Sequence, residues 1–252
     1  MIIRDEDTHW VCTQQDEHAR LSAQIFKAWG DPDLQKKKWR INLHTAIAEH
    51  DRAWIPLDQQ PIWNDDEGAP YDFTNYPEAE KIAAYETGIN EVEMMDPNAG
   101  LLVGRHLESF FTSITTDDAE RFKRREQTRF TRLRGSMESE FEKEALPILK
   151  MCDELSLFAC MNRPGAAKQD EVSWFRQGFS MRFSFLNDEI ILPSWKNNTV
   201  IALEPSPLHS DVHFPLKQRR ILKEKVKSKG LFNSYHETVI STQIVTFTSQ
   251  GG

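Results

Sequence analysis

The chain has 252 residues, 39% of them hydrophobic and 28% charged, with seven Trp and fifteen Phe. That is a globular composition with enough apolar mass for a proper core, in one large domain or two small ones. A net charge of −8 argues against broad nucleic-acid binding, which wants a basic footprint. No stretch approaches the roughly 18–20 apolar residues a membrane span needs. Met1 to Asp7 lacks a basic region followed by an apolar one, so the expected location is the cytoplasm. Cys12, Cys152 and Cys160 form no C-x-x-C pair and read as buried, reduced thiols.

Residues 1–13 predict one strand or hairpin leading into a helix from Gln14 to Trp29. There Leu21, Ile25 and Trp29 recur at helical spacing, and His18 sits one turn earlier on the same inward side. Gly30 and Pro32 end that helix. A second helix is expected from Asp33 to Ala53, with Trp39, Leu43, Ala46, Ile47 and His50 on one stripe. His44, six residues before His50, lies about 120° away around it. The basic run Lys36 to Arg40 reads as a solvated helix face, and residues 54–75 as irregular.

Helices follow at about 77–93 and 97–113, the second carrying His106 behind Leu101-Leu102-Val103. Thr116 caps a charged amphipathic helix that runs to about Arg134 and beyond. The most apolar helix, Glu144 to Met161, has Pro147 in its first turn and Asp153 in its middle. An unpaired carboxylate there would be costly, so Asp153 needs a metal or an ion-pair partner such as Arg134 or Arg163.

After Asn162 to Gly165 the pattern becomes β. Phe179, Met181, Phe183 and Phe185 alternate with polar residues as in a strand. Ile190 to Leu192, Thr199 to Leu203, Val212 to Leu216 and Thr238 to Thr248 read as further strands, with a basic helix from Lys217 to Lys229. The expected fold is mainly α, α+β overall: a helical body over 1–168 with a short N-terminal strand, and a small antiparallel sheet over 169–252 packed on it.

Taken singly, His18, His50 and His106 fit hydrogen-bonded core histidines as well as ligands. A water-activating divalent metal needs such imidazoles and carboxylates on rigid elements that meet in the core. His…His-Asp…Asp on helices resembles the HD superfamily of metal-dependent phosphohydrolases, whose last aspartate lies in a segment similar to Cys152-Asp153-Glu154-Leu155-Ser156. Gln14-x-x-x-His18, His50-Asp51-x-x-Trp54, Gly68-x-Pro70 and Gly100-Leu101-Leu102-Val103-x-x-His106 make nearly the whole chain resemble an uncharacterised bacterial and archaeal family, domain-of-unknown-function family 3891.

The superfamily resemblance implies His18, His50, Asp51 and Asp153 as ligands of a first divalent metal (Mn, Fe, Zn, Mg or Ni). It makes Asp51 the bridging carboxylate and water-orienting residue, and His106 the extra histidine of two-metal members. Arg52, Arg105 and Lys150 flank these residues and could hold a phosphate. The implied function is metal-dependent hydrolysis of a small phosphorylated substrate of phosphoester or nucleotide type, with no nucleic acid and no membrane partner. A di-iron oxygenase and a non-catalytic sensor of metal or nucleotide are the alternatives.

Overall fold

The computed structural model describes residues 1–136 and 140–249 of the protein. The strands are β1 (Ile2–Asp5), β2 (His9–Thr13), the two-residue β3 (Trp63–Asn64) and β4 (Ala69–Pro70), β5 (Leu192–Trp195), β6 (Val200–Glu204), β7 (Val212–Leu222) and β8 (Ile240–Thr248). The helices are α1 (Gln15–Lys27), α2 (Arg40–Glu49), α3 (Ile55–Asp58), α4 (Glu78–Met95), α5 (Pro97–Glu108), α6 (Asp117–Leu133), α7 (Phe141–Met161), α8 (Lys223–Lys229) and α9 (Leu231–Glu237). The continuation of α6 expected beyond Arg134 includes residues 137–139, which lie outside the described residues.

The sheet overturns the expected fold class. It is not a small C-terminal antiparallel sheet on a mainly helical body. It is six-stranded, ordered β1-β2-β7-β8-β6-β5, and curls into a half-barrel built from both ends of the chain. The N-terminal hairpin adds to β7, with Trp10 opposite Ile221, and β6 runs parallel to β8, so the sheet is mixed. The physical reason is edge satisfaction. A lone hairpin is marginal in water, and β7 offers it an open row of backbone donors and acceptors.

Two local expectations change for related reasons. The basic segment after Leu216 continues as strand to Leu222, because β2 and β8 flank β7 on both sides, and helix begins only at Lys223. Phe179 to Phe185 forms no strand. Gly178 turns at φ +83°, the left-handed Asn187 and Asp188 end a 3₁₀ turn at Ser184–Leu186, and the rings disperse. Phe183 and Phe185 pack on Trp29 at 5.0 and 5.8 Å between centroids, whereas Phe179 and Met181 face a cavity.

The helical layer positions the site. α1 packs on α2, α7 and β7; α5 packs on α2 and α7; and α2 touches α7. Buried Leu21, Ile25, Leu43, Ile47, Leu102, Leu155 and Phe158 join Leu216, Val245 and Phe247 of the sheet in one core. α5 starts at Asp96, whose carboxylate accepts from the Asn98 and Ala99 amides at 2.9 and 3.1 Å, with Pro97 in the first turn. Gly100 lets α5 approach α4 so closely that a Cβ there would meet Glu93 Cα at 2.5 Å. Pro147 lies inside α7, which begins at Phe141, three residues earlier than expected.

Candidate metal centre

His18 is on the inner side of α1 and is buried, as are His50, Asp51, His106 and Asp153. His50 and Asp51 are neighbours and would diverge by about 100° on a continuing helix. They do not diverge because α2 stops at Glu49. His50 is its cap, and Asp51 leaves helical geometry at φ −108°, ψ 18° before a 3₁₀ turn over Arg52–Trp54. The expected single helix from Asp33 to Ala53 is thus two 3₁₀ turns around α2, and the break is what gives both side chains to one site.

The polar atoms converge tightly. His18 Nε2 lies 2.6 Å from Asp51 Oδ2, 3.2 Å from His50 Nε2 and 3.6 Å from Asp153 Oδ1. His50 Nε2 lies 3.4 Å from Asp51 Oδ2 and 3.5 Å from Asp153 Oδ1, and His106 Nε2 lies 3.4 Å from Asp153 Oδ2. Ligands about 2.1 Å from one metal stand about 3.0 Å apart at right angles and about 3.6 Å apart at 120°. All these spacings except the short His18–Asp51 contact fall on such edges. Two triads, His18-His50-Asp51 and His50-His106-Asp153, could each hold a metal ion.

The outer nitrogens are tied down. His50 Nδ1 donates to the Ile47 carbonyl at 2.8 Å. Ser156 Oγ donates to the Asp153 carbonyl at 2.8 Å and accepts from Ser22 Oγ at 2.8 Å and from His18 Nδ1 at 2.5 Å. With both Nδ1 protons committed outward, both Nε2 atoms face each other and two carboxylates. Only a cation between them, proton or metal, makes that arrangement favourable. The residues fit a divalent metal on this ground.

Electrostatics point the same way. Burial opposes charge on His50, but Asp51 and Asp153 outweigh it and raise its pKa to about 9. Burial likewise opposes ionisation of Asp153 and Asp51, yet the adjacent histidines hold both below the usual carboxylate range. His106 is different. Burial pushes it down to about 4, so it is neutral at pH 7, and its Nδ1 has no hydrogen-bond partner.

Of the two aspartates, Asp153 has one oxygen on each side, Oδ1 toward His18 and His50 and Oδ2 toward His106. Asp153 thus reaches histidines on both of its sides, while His50 is the residue that the two triads share. The three flanking cations separate. Arg52 is held by Glu91 at 2.6 Å and Glu49 at 3.1 Å. Arg105 is held by Glu108 at 2.8 Å and Glu142 at 2.9 Å, with its guanidinium 3.9 Å over the Phe130 ring. Neither is among the residues lining the cavity beside the cluster, and each has two carboxylate partners. Lys150 does line it.

That cavity, about 640 Å³, is bounded by His18, Asp51, His106 and Asp153 on one side. Sequence reasoning missed Lys81, Tyr85 and Glu154, which also line it. Lys81 and Tyr85 are one turn apart on α4, on the side of buried Ile82 and Ile89, a helical phase that could have singled out the lysine. Glu154 follows Asp153 in the most apolar helix; burial and then the Asp153 charge push it up to about 7.

The fold and cluster define a protein of helices packed on a curled six-stranded sheet, with a buried histidine–aspartate site able to hold a metal. A family model described as protein of unknown function (DUF3891) matches residues 1–223, and the chain belongs to that family. No curated protein and no solved structure matches the chain. Among the described residues no helix is long and apolar enough to cross a membrane.

Proposed function

We propose that the protein is a metal-dependent hydrolase of small phosphoesters. The observation that carries this reading is the Asp153 carboxylate, flanked by His50 on one oxygen and His106 on the other, at the wall of a cavity that also holds two lysines. His18, His50, Asp51 and Asp153 would hold a first divalent metal, and His106 with the second oxygen of Asp153 would supply donors toward another. A bound metal supplies a water of lowered pKa and positive charge for phosphoryl oxygens.

The chain's own groups do the rest. Ser156 and the Ile47 carbonyl fix the two imidazole rings, so no reorientation is needed when substrate arrives. Asp51 and Asp153 accept hydrogen bonds from the attacking water and align it. Neutral His106 is a donor or acceptor at Nε2 and adds no charge to oppose the metal. Lys150 and Lys81 neutralise the phosphoryl oxygens, and the surrounding apolar side chains exclude bulk water.

The test is metal analysis of protein purified without added metal, followed by a phosphomonoesterase and phosphodiesterase panel before and after chelation. Stoichiometric divalent metal and chelator-sensitive turnover are expected. Metal-loaded protein inert on every phosphoester, or iron with a visible absorption band and no hydrolysis, would overturn the reading.

A further inference from the structure

The cavity is more specific than the metal cluster alone requires. Lys81 comes from α4 and Lys150 from α7, and both line it. Glu78 and Asp72 act on Lys81 through space, as Glu154 and Asp153 do on Lys150, but neither lysine forms an ion pair among the described residues. Both are half-buried. Lys81 Nζ lies 5.9 Å over the Phe111 ring. Two half-buried ammonium groups without an ion-pair partner, on two walls of one cavity, are free to make charge-assisted hydrogen bonds to an anion.

The remaining walls are aromatic. Trp54, Tyr85, Phe110 and Phe111 come from the helical layer, and Trp174 and Phe179 from the irregular segment after α7. Trp174 is 55% exposed and Phe110 51% exposed, although both belong to the cavity lining. Large apolar side chains exposed at a cavity mark surface that a ligand covers. A small polar phosphoester would fill the metal end and leave these rings in water.

We propose that the substrate is a phosphoester bearing an aromatic or comparably bulky apolar group, whose phosphoryl oxygens are held by Lys81 and Lys150 and whose apolar part lies between Phe110, Phe111 and Trp174. The proposal rests on the phosphoester reading above and adds the substrate class. Lys150 acts on Asp153 and His106 at the metal end, Lys81 stands over Phe111 on another wall, and aromatic rings line much of the rest, so the ligand has one anionic head and one apolar body. A cavity of about 640 Å³ exceeds what a bare phosphate occupies and suits a drug-sized molecule.

The test compares 1-naphthylmethylphosphonate with methylphosphonate, neither of which can be hydrolysed, by calorimetry on the full-length protein with its metal content measured. The naphthyl compound should bind at least about 30-fold tighter, from burial of its ring system. Lys81→Met and Lys150→Met should each weaken it about tenfold, the loss of one charge-assisted hydrogen bond, without changing metal content. Trp174→Ala, at an exposed position where folding is not at risk, should weaken the naphthyl compound and leave methylphosphonate unchanged. Equal affinities for the two phosphonates, no binding of either, or lysine variants that bind as wild type would overturn the proposal. Turnover is not read, so the two readings fail separately. Equal phosphonate binding by a protein that hydrolyses small phosphoesters sinks only the pocket assignment. Selective naphthyl binding without any turnover supports the pocket and sinks only the hydrolytic reading.

Discussion

His18 and His50 present their Nε2 atoms to each other at 3.2 Å, each with its Nδ1 engaged by a group behind it. Two ring nitrogens so placed, with two aspartates beside them, need a cation in common. In the metal-free protein that cation is a proton; in the loaded protein it is displaced.

Metal binding should therefore release protons. His50 carries its proton up to about pH 9, so below that value metal must displace it, and apparent affinity should rise with pH. One displaced proton gives about a tenfold gain per pH unit between 6 and 8. A metal titration in weakly buffered solution with a pH indicator reads the release directly. Affinity that is flat across this range contradicts the assignment.

The same shift predicts the pH dependence of metal-free stability. The folded-state pKa of His50 is raised from 6.5 to about 9, so its contribution is fully present below 6.5 and is lost as pH rises through 9. His106, lowered to about 4, contributes in the opposite sense, above 6.5 and lost as pH falls through 4. Chelated protein should melt at progressively lower temperature from pH 6.5 to 9, and His50→Gln should remove that slope.

Asp51→Ala should lower metal affinity by more than about 100-fold, beyond the range for groups that only orient a ligand, and should abolish turnover. Asp51 lies outside α2, at the turn after it, so the helical circular dichroism should persist. Ser156→Ala removes the partner of His18 Nδ1. It should cost about 10–100-fold in metal affinity and about 1–3 kcal/mol of stability, because a buried ring nitrogen loses its acceptor. Stoichiometric metal in Asp51→Ala, or wild-type affinity in Ser156→Ala, would count against this division of roles.

Arg52→Ala should leave metal content and turnover unchanged. Its guanidinium is committed to Glu49 and Glu91 on a partly exposed surface, where such pairs contribute about 0–1 kcal/mol. A tenfold rise in KM for a phosphoester would return Arg52 to the substrate.

How much of this was legible in the sequence differs by element. His18 and His106 could be placed by helical phase against Leu21, Leu102 and their neighbours, and Asp153 by its improbability in an apolar helix. The break after Glu49 was not legible, because Ala46 to Ala53 contains no proline or glycine; tertiary packing ends that helix. Gly88 shows one cause, since a Cβ there would meet Ala53 Cα at 2.6 Å, so α4 sits directly against the turn that follows Asp51. The sheet was under-read for a different reason. Pairing of the N-terminal hairpin with β7 joins His9 to Leu222, and such long-range partners leave no local periodicity. The alternation at Phe179 to Phe185 misled because those rings serve a cavity and Trp29, not a sheet face.

Truncation before Gln169 should give an insoluble or strongly destabilised product. Such a fragment loses β7, the partner of β2, and leaves the side of α1 that contacts β7 uncovered. A soluble 1–168 fragment with an unchanged, cooperative melt would establish the helical body as independent.

The most direct measurement is a crystal structure collected at the absorption edge of whichever metal co-purifies. An anomalous peak about 2.0–2.3 Å from His18 Nε2, His50 Nε2 and carboxylate oxygens of Asp51 and Asp153 is the predicted result. Metal bound elsewhere on the protein, with these four side chains hydrogen-bonded to one another and no peak between them, would contradict it.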